Sequence, residues 1–143
     1  MPGFLGRYEF QCDEKGRVSL PSAFRRGAGG KGLVLLQWQP THLDLYPADT
    51  WEGIQANLVQ FRRAEPEGAA FFRRILSSAT EVEPDKQGRI RLPSRLREAV
   101  GLEDAVLLVG AVDRIELWNP GRFDEELESG EKDFGHFIHQ IFG

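Results

Sequence analysis

Two arginines, Arg17 and Arg89, each stand one residue after a glycine and four after an aspartate, and each opens a short alternating segment that ends in Leu-Pro-Ser. A guanidinium is a planar five-donor fork that pairs bidentately with a phosphate, or with the O6/N7 edge of guanine. A preceding glycine allows a tight turn and a close approach of backbone to a ligand. Lys15 and Lys86 place point charges beside the arginines, and Arg91 continues the outward face of its segment. A second reading is that Arg17 pairs with Asp13, and Arg89 with Asp85, only to stiffen the turn. The recurrence of turn, arginine and flanking lysine favours a ligand over that reading. Arg25 and Arg97 lie at the same distance beyond the two serines. Either they touch phosphates or they are solvated helix residues, and the residues alone leave both open.

Other chemistry is weakly represented. His42, His136 and His139 are scattered, and the last two are three apart with no cysteine or third histidine nearby, so no metal site is expected. Cys12 is the single cysteine and has no obvious base partner. Neither a Walker loop nor a Rossmann glycine pattern occurs. No catalytic residue, no cofactor and no enzymatic activity are expected.

The elements that carry the arginines are written twice. Asp13-Glu-Lys-Gly-Arg-Val-Ser-Leu-Pro-Ser22 returns 72 residues later as Asp85-Lys-Gln-Gly-Arg-Ile-Arg-Leu-Pro-Ser94, so the chain reads as two copies of one unit. In each copy a strand (Arg7–Cys12; Thr80–Pro84), a turn (Asp13–Gly16; Asp85–Gly88) and a second strand (Arg17–Leu20; Arg89–Leu92) predict a β-hairpin with a basic tip. Pro84 marks an edge strand or a strand end. Ser22 and Ser94 are candidate caps or first-turn residues of short helices. The second helix, Ser94–Val100, ends at Gly101, and the first should be shorter because of Gly27, Gly29 and Gly30. A second strand pair follows in each unit: Leu33–Trp38 with Leu43–Tyr46, and Ala105–Gly110 with Ile115–Trp118, still 72 apart. The continuous apolar runs Leu33–Leu36 and Val106–Val109 require burial on both faces, so the units must pack on each other or on a second chain. Thr50 then caps a helix with Trp51, Ile54, Leu58 and Phe61 on one face, and another helix begins at Pro66. Trp38, Trp51 and Trp118 are expected as core anchors. The C-terminal stripe of Phe134, Phe137, Ile138, Ile141 and Phe142 must find a partner surface, either on its own chain or on another subunit.

With 143 residues, 41% apolar and 28% charged, the chain has the composition of an ordinary soluble globular protein. It lacks a membrane-length apolar run. Its N-terminus shows no signal-peptide pattern, so a cytoplasmic location is expected. The net charge of −4 and pI near 5.4 argue against nucleic-acid binding when taken alone. That charge is segregated. Asp124, Glu125, Glu126, Glu128, Glu131 and Asp133 stand against Lys132, whereas Lys86, Arg89, Arg91, Arg95 and Arg97 stand against Asp85. A local basic face is compatible with an acidic whole.

Three ordered motifs carry a resemblance: Asp13–Pro21, Asp85–Pro93 and Asp113-Arg-Ile-Glu-Leu-Trp-Asn-Pro120, together with Phe4-x-Gly6. Over nearly the whole length up to about Phe123, the chain resembles the MraZ family, bacterial regulators of the division and cell-wall gene cluster within the AbrB/MazE swapped-hairpin class. The resemblance implies an α+β fold with a mainly β core. Two tandem AbrB-like hairpin repeats would interlock as an intrachain pseudo-dimer with flanking helices. The corresponding units are 1–78, with a helical insert, and 79–123, followed by an acidic linker and apolar helix over 124–143. It also implies homo-oligomeric rings of eight or more subunits that bind repeated boxes in promoter double-stranded DNA, hence a nucleoid-associated protein with no membrane partner. The family's DNA-contact arginine maps onto Arg17 and Arg89, and its lysine onto Lys15; Lys86, Arg91, Arg25 and Arg97 join this candidate set by position. The alternative is an antitoxin-like or assembly module that holds a protein partner.

Overall fold

The computed structural model describes residues 3–143; Met1 and Pro2, part of the N-terminal stretch read as lacking a signal peptide, lie outside the described residues. The first copy contributes strands β1 (Arg7–Gln11), β2 (Arg17–Ser19), β3 (Leu33–Gln39) and β4 (His42–Pro47), with helix α1 (Ser22–Gly27) between β2 and β3. Helices α2 (Ala48–Ala64) and α3 (Ala69–Ser78), joined by a 3-10 turn at Pro66–Gly68, lead into the second copy. That copy supplies β5 (Thr80–Val82), β6 (Arg89–Arg91), α4 (Ser94–Ala99), β7 (Ala105–Gly110) and β8 (Ile115–Trp118), then α5 (Pro120–Ser129) and α6 (Phe134–Phe142).

The strands pair across the copies. β1 runs antiparallel to β7 of the second copy, and β5 antiparallel to β3 of the first. The six-stranded order β1-β7-β8-β4-β3-β5 is symmetric about the β8–β4 pair, and β2 with β6 forms a separate two-stranded ribbon. The expected local hairpins are therefore absent. Each turn closes on two backbone bonds: Asp13 N–H donates to the Arg17 carbonyl and Gly16 N–H to that of Asp13, and Asp85 with Arg89 and Gly88 with Asp85 repeat them. Beyond them the two strands of a copy part to opposite partners. The intrachain pseudo-dimer is the fold, and Pro84 follows an edge strand as expected.

One core fills the space between the sheet and the ribbon. Val18 and Ile90, both 0% exposed, point inward from the ribbon to meet Leu35, Leu45, Val106, Leu108 and Leu117 from the sheet. Burial of a side chain of this size contributes about 1.5–3 kcal/mol, so each residue anchors the ribbon to the body. Helices α1 and α4 close the sides through Phe24 and Leu96, joined by Val100 just after α4. A second cluster, with Val34, Leu36, Tyr46, Leu58 and Ile75 buried, lies on the opposite face of the first copy's strands, where α2 and α3 pack.

Several local expectations are corrected. α1 and α4 are both six residues long, because Gly27 closes the first helix and Gly29 and Gly30 fall beyond it. Their N-caps are Pro21 and Pro93, without a side-chain capping bond, and Ser22 and Ser94 are first-turn residues. α2 begins at Ala48 after Pro47, so Thr50 lies inside its first turn and is not the cap. Trp118 is buried (4% exposed), while Trp38 and Trp51 are only partly so. The 72-residue register also slips by one in a single strand pair. Leu35 lies opposite Leu45, and Leu108 opposite Leu117, which makes Leu108, not Leu107, the counterpart of Leu35. Finally, α6 does not dock on its own chain. Phe134, Phe137, Ile138, Ile141 and Phe142 are all exposed, Phe142 at 82%.

Candidate nucleic-acid interface

The ribbon brings the two arginine turns together. In the β2–β6 register Arg17 faces Arg91, Val18 faces Ile90, and Ser19 faces Arg89. Alternation sends Val18 and Ile90 into the core, so Arg17, Arg89, Arg91 and Ser19 share the opposite face. Like charges placed directly across a strand pair repel, and Arg17 opposite Arg91 is such a pair. Ser19 and Arg91 occupy equivalent positions in the two copies, so the face is more basic on the second copy's strand.

Each turn is built by its aspartate. Asp13 accepts from the backbone N–H groups of Lys15 and Arg17 (3.0 and 2.8 Å) and from Arg17 Nε (2.7 Å). Asp85 repeats this with Gln87 and Arg89, at 2.9 Å for both backbone bonds and 3.0 Å to Arg89 Nε. These bonds hold both carboxyls below the ordinary aspartate range, with the arginine backbone N–H the largest cause. Arg89 Nη1 also lies 3.9 Å from Asp13 Oδ2, which ties the two turns to each other. The stiffening pairs therefore exist, and they engage Nε. The terminal nitrogens of Arg17 have no protein hydrogen bond among the described residues. A donor fork fixed through Nε is preorganised to present those nitrogens outward.

Arg25 and Arg97 occupy the space beside the turn glycines. Gly16 and Gly88 have φ of +79° and +77°. A Cβ on Gly16 would stand 2.9 Å from the Leu92 carbonyl oxygen and 3.2 Å from Arg97 Nη2, and one on Gly88 would collide with the Arg25 guanidinium. Both turns require a glycine by their positive φ; at Gly16 the Leu92 backbone carbonyl of the other copy adds a fixed neighbour, and at Gly88 the exposed Arg25 side chain fills the space. Arg97 Nε donates to the Leu92 carbonyl at 3.1 Å, whereas Arg25 is exposed on α1. Leu92 N–H donates to the Gly16 carbonyl and Leu20 N–H to that of Gly88, at 2.8 and 2.9 Å, so each turn is also stitched to the partner strand. Lys15 and Lys86 are exposed in the two turns.

All seven predicted site residues therefore belong to one layer of ribbon, turns and flanking helices, in which Asp13, Glu14, Asp85 and Glu98 of α4 are acids. Other arginines lie elsewhere. Arg95 Nη1 donates to the Ser77 carbonyl at 3.3 Å, and Arg62 stacks over the Phe72 ring at 5.0 Å. The acidic run occupies α5 and the turn after it. His42, read as isolated, is not. Strand pairing places it with Asp44 and Glu116 on the face of the sheet that bears α2 and α3. The available signal was the two-residue spacing of His42 and Asp44, with Glu116 exactly one repeat beyond Asp44.

Two consecutive segments, 4–74 and 75–136, match the family described as "MraZ protein, putative antitoxin-like". A relative from Natranaerobius thermophilus is 33% identical over 138 residues, covering 96% of each chain. Relatives from Thermomicrobium roseum and Acetivibrio thermocellus are each 38% identical, covering 87% of both chains in the first case, and 85% of this chain and 84% of the relative in the second. All three carry the name transcriptional regulator MraZ. Duplicated turn, interlocked ribbon and matched length agree, and the chain belongs to the MraZ family.

Proposed function

We propose that the protein is a transcriptional regulator that binds double-stranded promoter DNA through the β2–β6 ribbon. The observation that carries this reading is the single ribbon face formed by Arg17, Arg89 and Arg91, with Lys15, Lys86, Arg25 and Arg97 around it. A two-stranded ribbon fits the major groove. Outward guanidiniums supply the bidentate donors that guanine presents acceptors for, and the lysines and helix arginines supply phosphate contacts. The names of the relatives support the regulatory role. In this reading the targets are repeated boxes upstream of the division and cell-wall gene cluster, the protein is nucleoid-associated, and it acts as a closed homo-oligomeric ring. Linked sites raise effective concentration, so several weakly binding ribbons hold a repeated operator tightly.

The test is fluorescence anisotropy with labelled promoter DNA carrying the repeats. The double substitution Arg17→Ala with Arg89→Ala should abolish specific binding while circular dichroism stays native; unchanged affinity would overturn the reading. An antitoxin-like or assembly role is favoured by one observation, the exposed apolar face of α6. Salt separates the two. DNA binding should fall by orders of magnitude between 50 and 200 mM salt for about 6–10 phosphate contacts, whereas apolar capture of a protein partner should hardly change.

A further inference from the structure

The central strand pair of the sheet, β4 with β8, carries a second side-chain cluster on the face opposite the ribbon. His42 and Asp44 alternate along β4, and Glu116 on β8 lies directly opposite Asp44. His42 Nε2 is 3.6 Å from Asp44 Oδ1 and 3.5 Å from Glu116 Oε2. The three atoms all fall within 4.8 Å of one another. Asp44 is 2% exposed and His42 5%.

The cluster is short of donors. Asp44 Oδ1 is a buried oxygen without a hydrogen-bond partner among the described residues. Arg114 Nε approaches it to 3.2 Å, and Glu116 Oε2 to 3.7 Å, but the N–H is not aimed at Oδ1. The other end of that guanidinium is drawn outward, where Nη1 donates to Asp113 at 2.9 Å. On the histidine, Nδ1 lies 2.7 Å from Thr41 Oγ1. With the proton on Nδ1, the Nε2 lone pair faces two carboxylate oxygens. With it on Nε2, the nearest acceptors are at 3.5 and 3.6 Å, beyond a good N–H···O bond. Three electron-rich atoms converge, and the cation beside them, Arg114, leaves the buried Asp44 Oδ1 without a hydrogen bond.

We infer that His42 Nε2, Asp44 Oδ1 and Glu116 Oε2 bind a divalent transition-metal ion of the zinc class, with Arg114 as the movable side chain at its mouth. Zinc bonds of about 2.0–2.2 Å in a tetrahedron separate ligand atoms by about 3.3–3.6 Å, which is the spacing His42 already keeps from both carboxylates. One imidazole and two carboxylates form a neutral complex with a divalent ion, and a water on the Arg114 side completes four-coordination. The outer partners are in place. Thr41 orients the imidazole, and Trp118 Nε1 donates to Glu116 Oε1 at 3.0 Å while its ring stacks on His42 at 4.4 Å. His42 and Asp44 come from the first copy and Glu116 from the second, so the ion would clamp the two repeats at the middle of their shared sheet.

The test is calorimetric titration of the metal-stripped full chain with zinc chloride. His136→Gln and His139→Gln are introduced throughout, so that the two exposed histidines of α6 add no zinc stoichiometry of their own. The expected result is one ion per chain, with affinity reduced more than about tenfold by His42→Gln, Asp44→Asn or Glu116→Gln and raised by Arg114→Gln. Zinc should also raise the unfolding temperature of the parent and leave that of Glu116→Gln unmoved. Glu116 is the least buried ligand, so its variant decides the matter if Asp44→Asn fails to fold. Absence of stoichiometric binding in both the parent and Arg114→Gln, or undiminished binding in Glu116→Gln, would overturn the assignment.

Discussion

Arg91 separates two roles that arginine plays on the ribbon. Arg17 and Arg89 are each fixed through Nε to the aspartate of their own turn; the terminal nitrogens of Arg17 make no protein hydrogen bond among the described residues, while Arg89 Nη1 stays 3.9 Å from Asp13 Oδ2. Arg91 is exposed, stands opposite Arg17, and its side chain makes no protein hydrogen bond among the described residues. Arg91→Ala should therefore weaken DNA binding without lowering the unfolding temperature, since it removes a charge opposed to Arg17, whereas Arg17→Ala should lower both. If Arg91 serves a phosphate, the slope of log affinity against log salt should fall by about one. The aspartates give a pH test of the same turns. Their folded-state affinity for a proton is lowered relative to the unfolded chain, where the ordinary value is 3.8. Their contribution to stability is thus complete above that value and is lost as pH falls through the lower folded value. Denaturation of the native chain and of Asp13→Ala/Asp85→Ala, compared from pH 7 down to about 2, should show a stability difference that is constant near neutrality and shrinks below pH 4. The arginine–aspartate spacing made this chemistry legible in the sequence, because both groups lie within one turn.

At the scale of elements, sequence resolves what is local and loses what depends on the partner. The alternation of Arg17-Val18-Ser19 announces a strand with one buried face, yet a local hairpin and an exchanged one bury the same residues. Only the family resemblance pointed to exchange. The one-residue slip of β3 against β7 is concealed for a related reason. A slip normally turns an apolar face to water, but Leu33–Leu36 and Val106–Val109 are apolar at every position, so their sequences do not record which face is which. The His42–Asp44–Glu116 cluster was hidden similarly, since it exists only once β4 is known to lie beside β8. The turn glycines test the exchanged arrangement. A local hairpin would make Gly16→Ala a matter of backbone conformation alone, about 1–2 kcal/mol for a left-handed residue. Here the added Cβ also meets the Leu92 carbonyl and the Arg97 guanidinium from the other copy. Gly16→Ala should therefore cost more than that range in chemical denaturation. In an Arg97→Ala background, part of the excess should be recovered.

The whole molecule is a pseudo-symmetric body from which one helix departs. α3 covers the outer face of the first copy's strands through Ile75 and its neighbours, whereas α6, which follows α5 as α3 follows α2, stands away with five apolar side chains exposed. Exposure of that area in water is costly, and a second subunit is the surface that would cover it in a homo-oligomer. In the proposed function, assembly and DNA reading then reside in different parts of the chain and can be separated. A charge introduced into the stripe, as in Phe137→Glu with Ile141→Glu, leaves the ribbon and the core untouched, because both positions are exposed. Light scattering should show this variant with a reduced subunit number. Its affinity for DNA carrying one box should equal that of the native chain. On DNA carrying tandem boxes it should fall by about 10²-fold or more, since linked binding can add a factor of that size without any new contact. Equal loss on single and tandem boxes would place α6 in the DNA contact itself, and an unchanged subunit number would mean that another surface holds the assembly together.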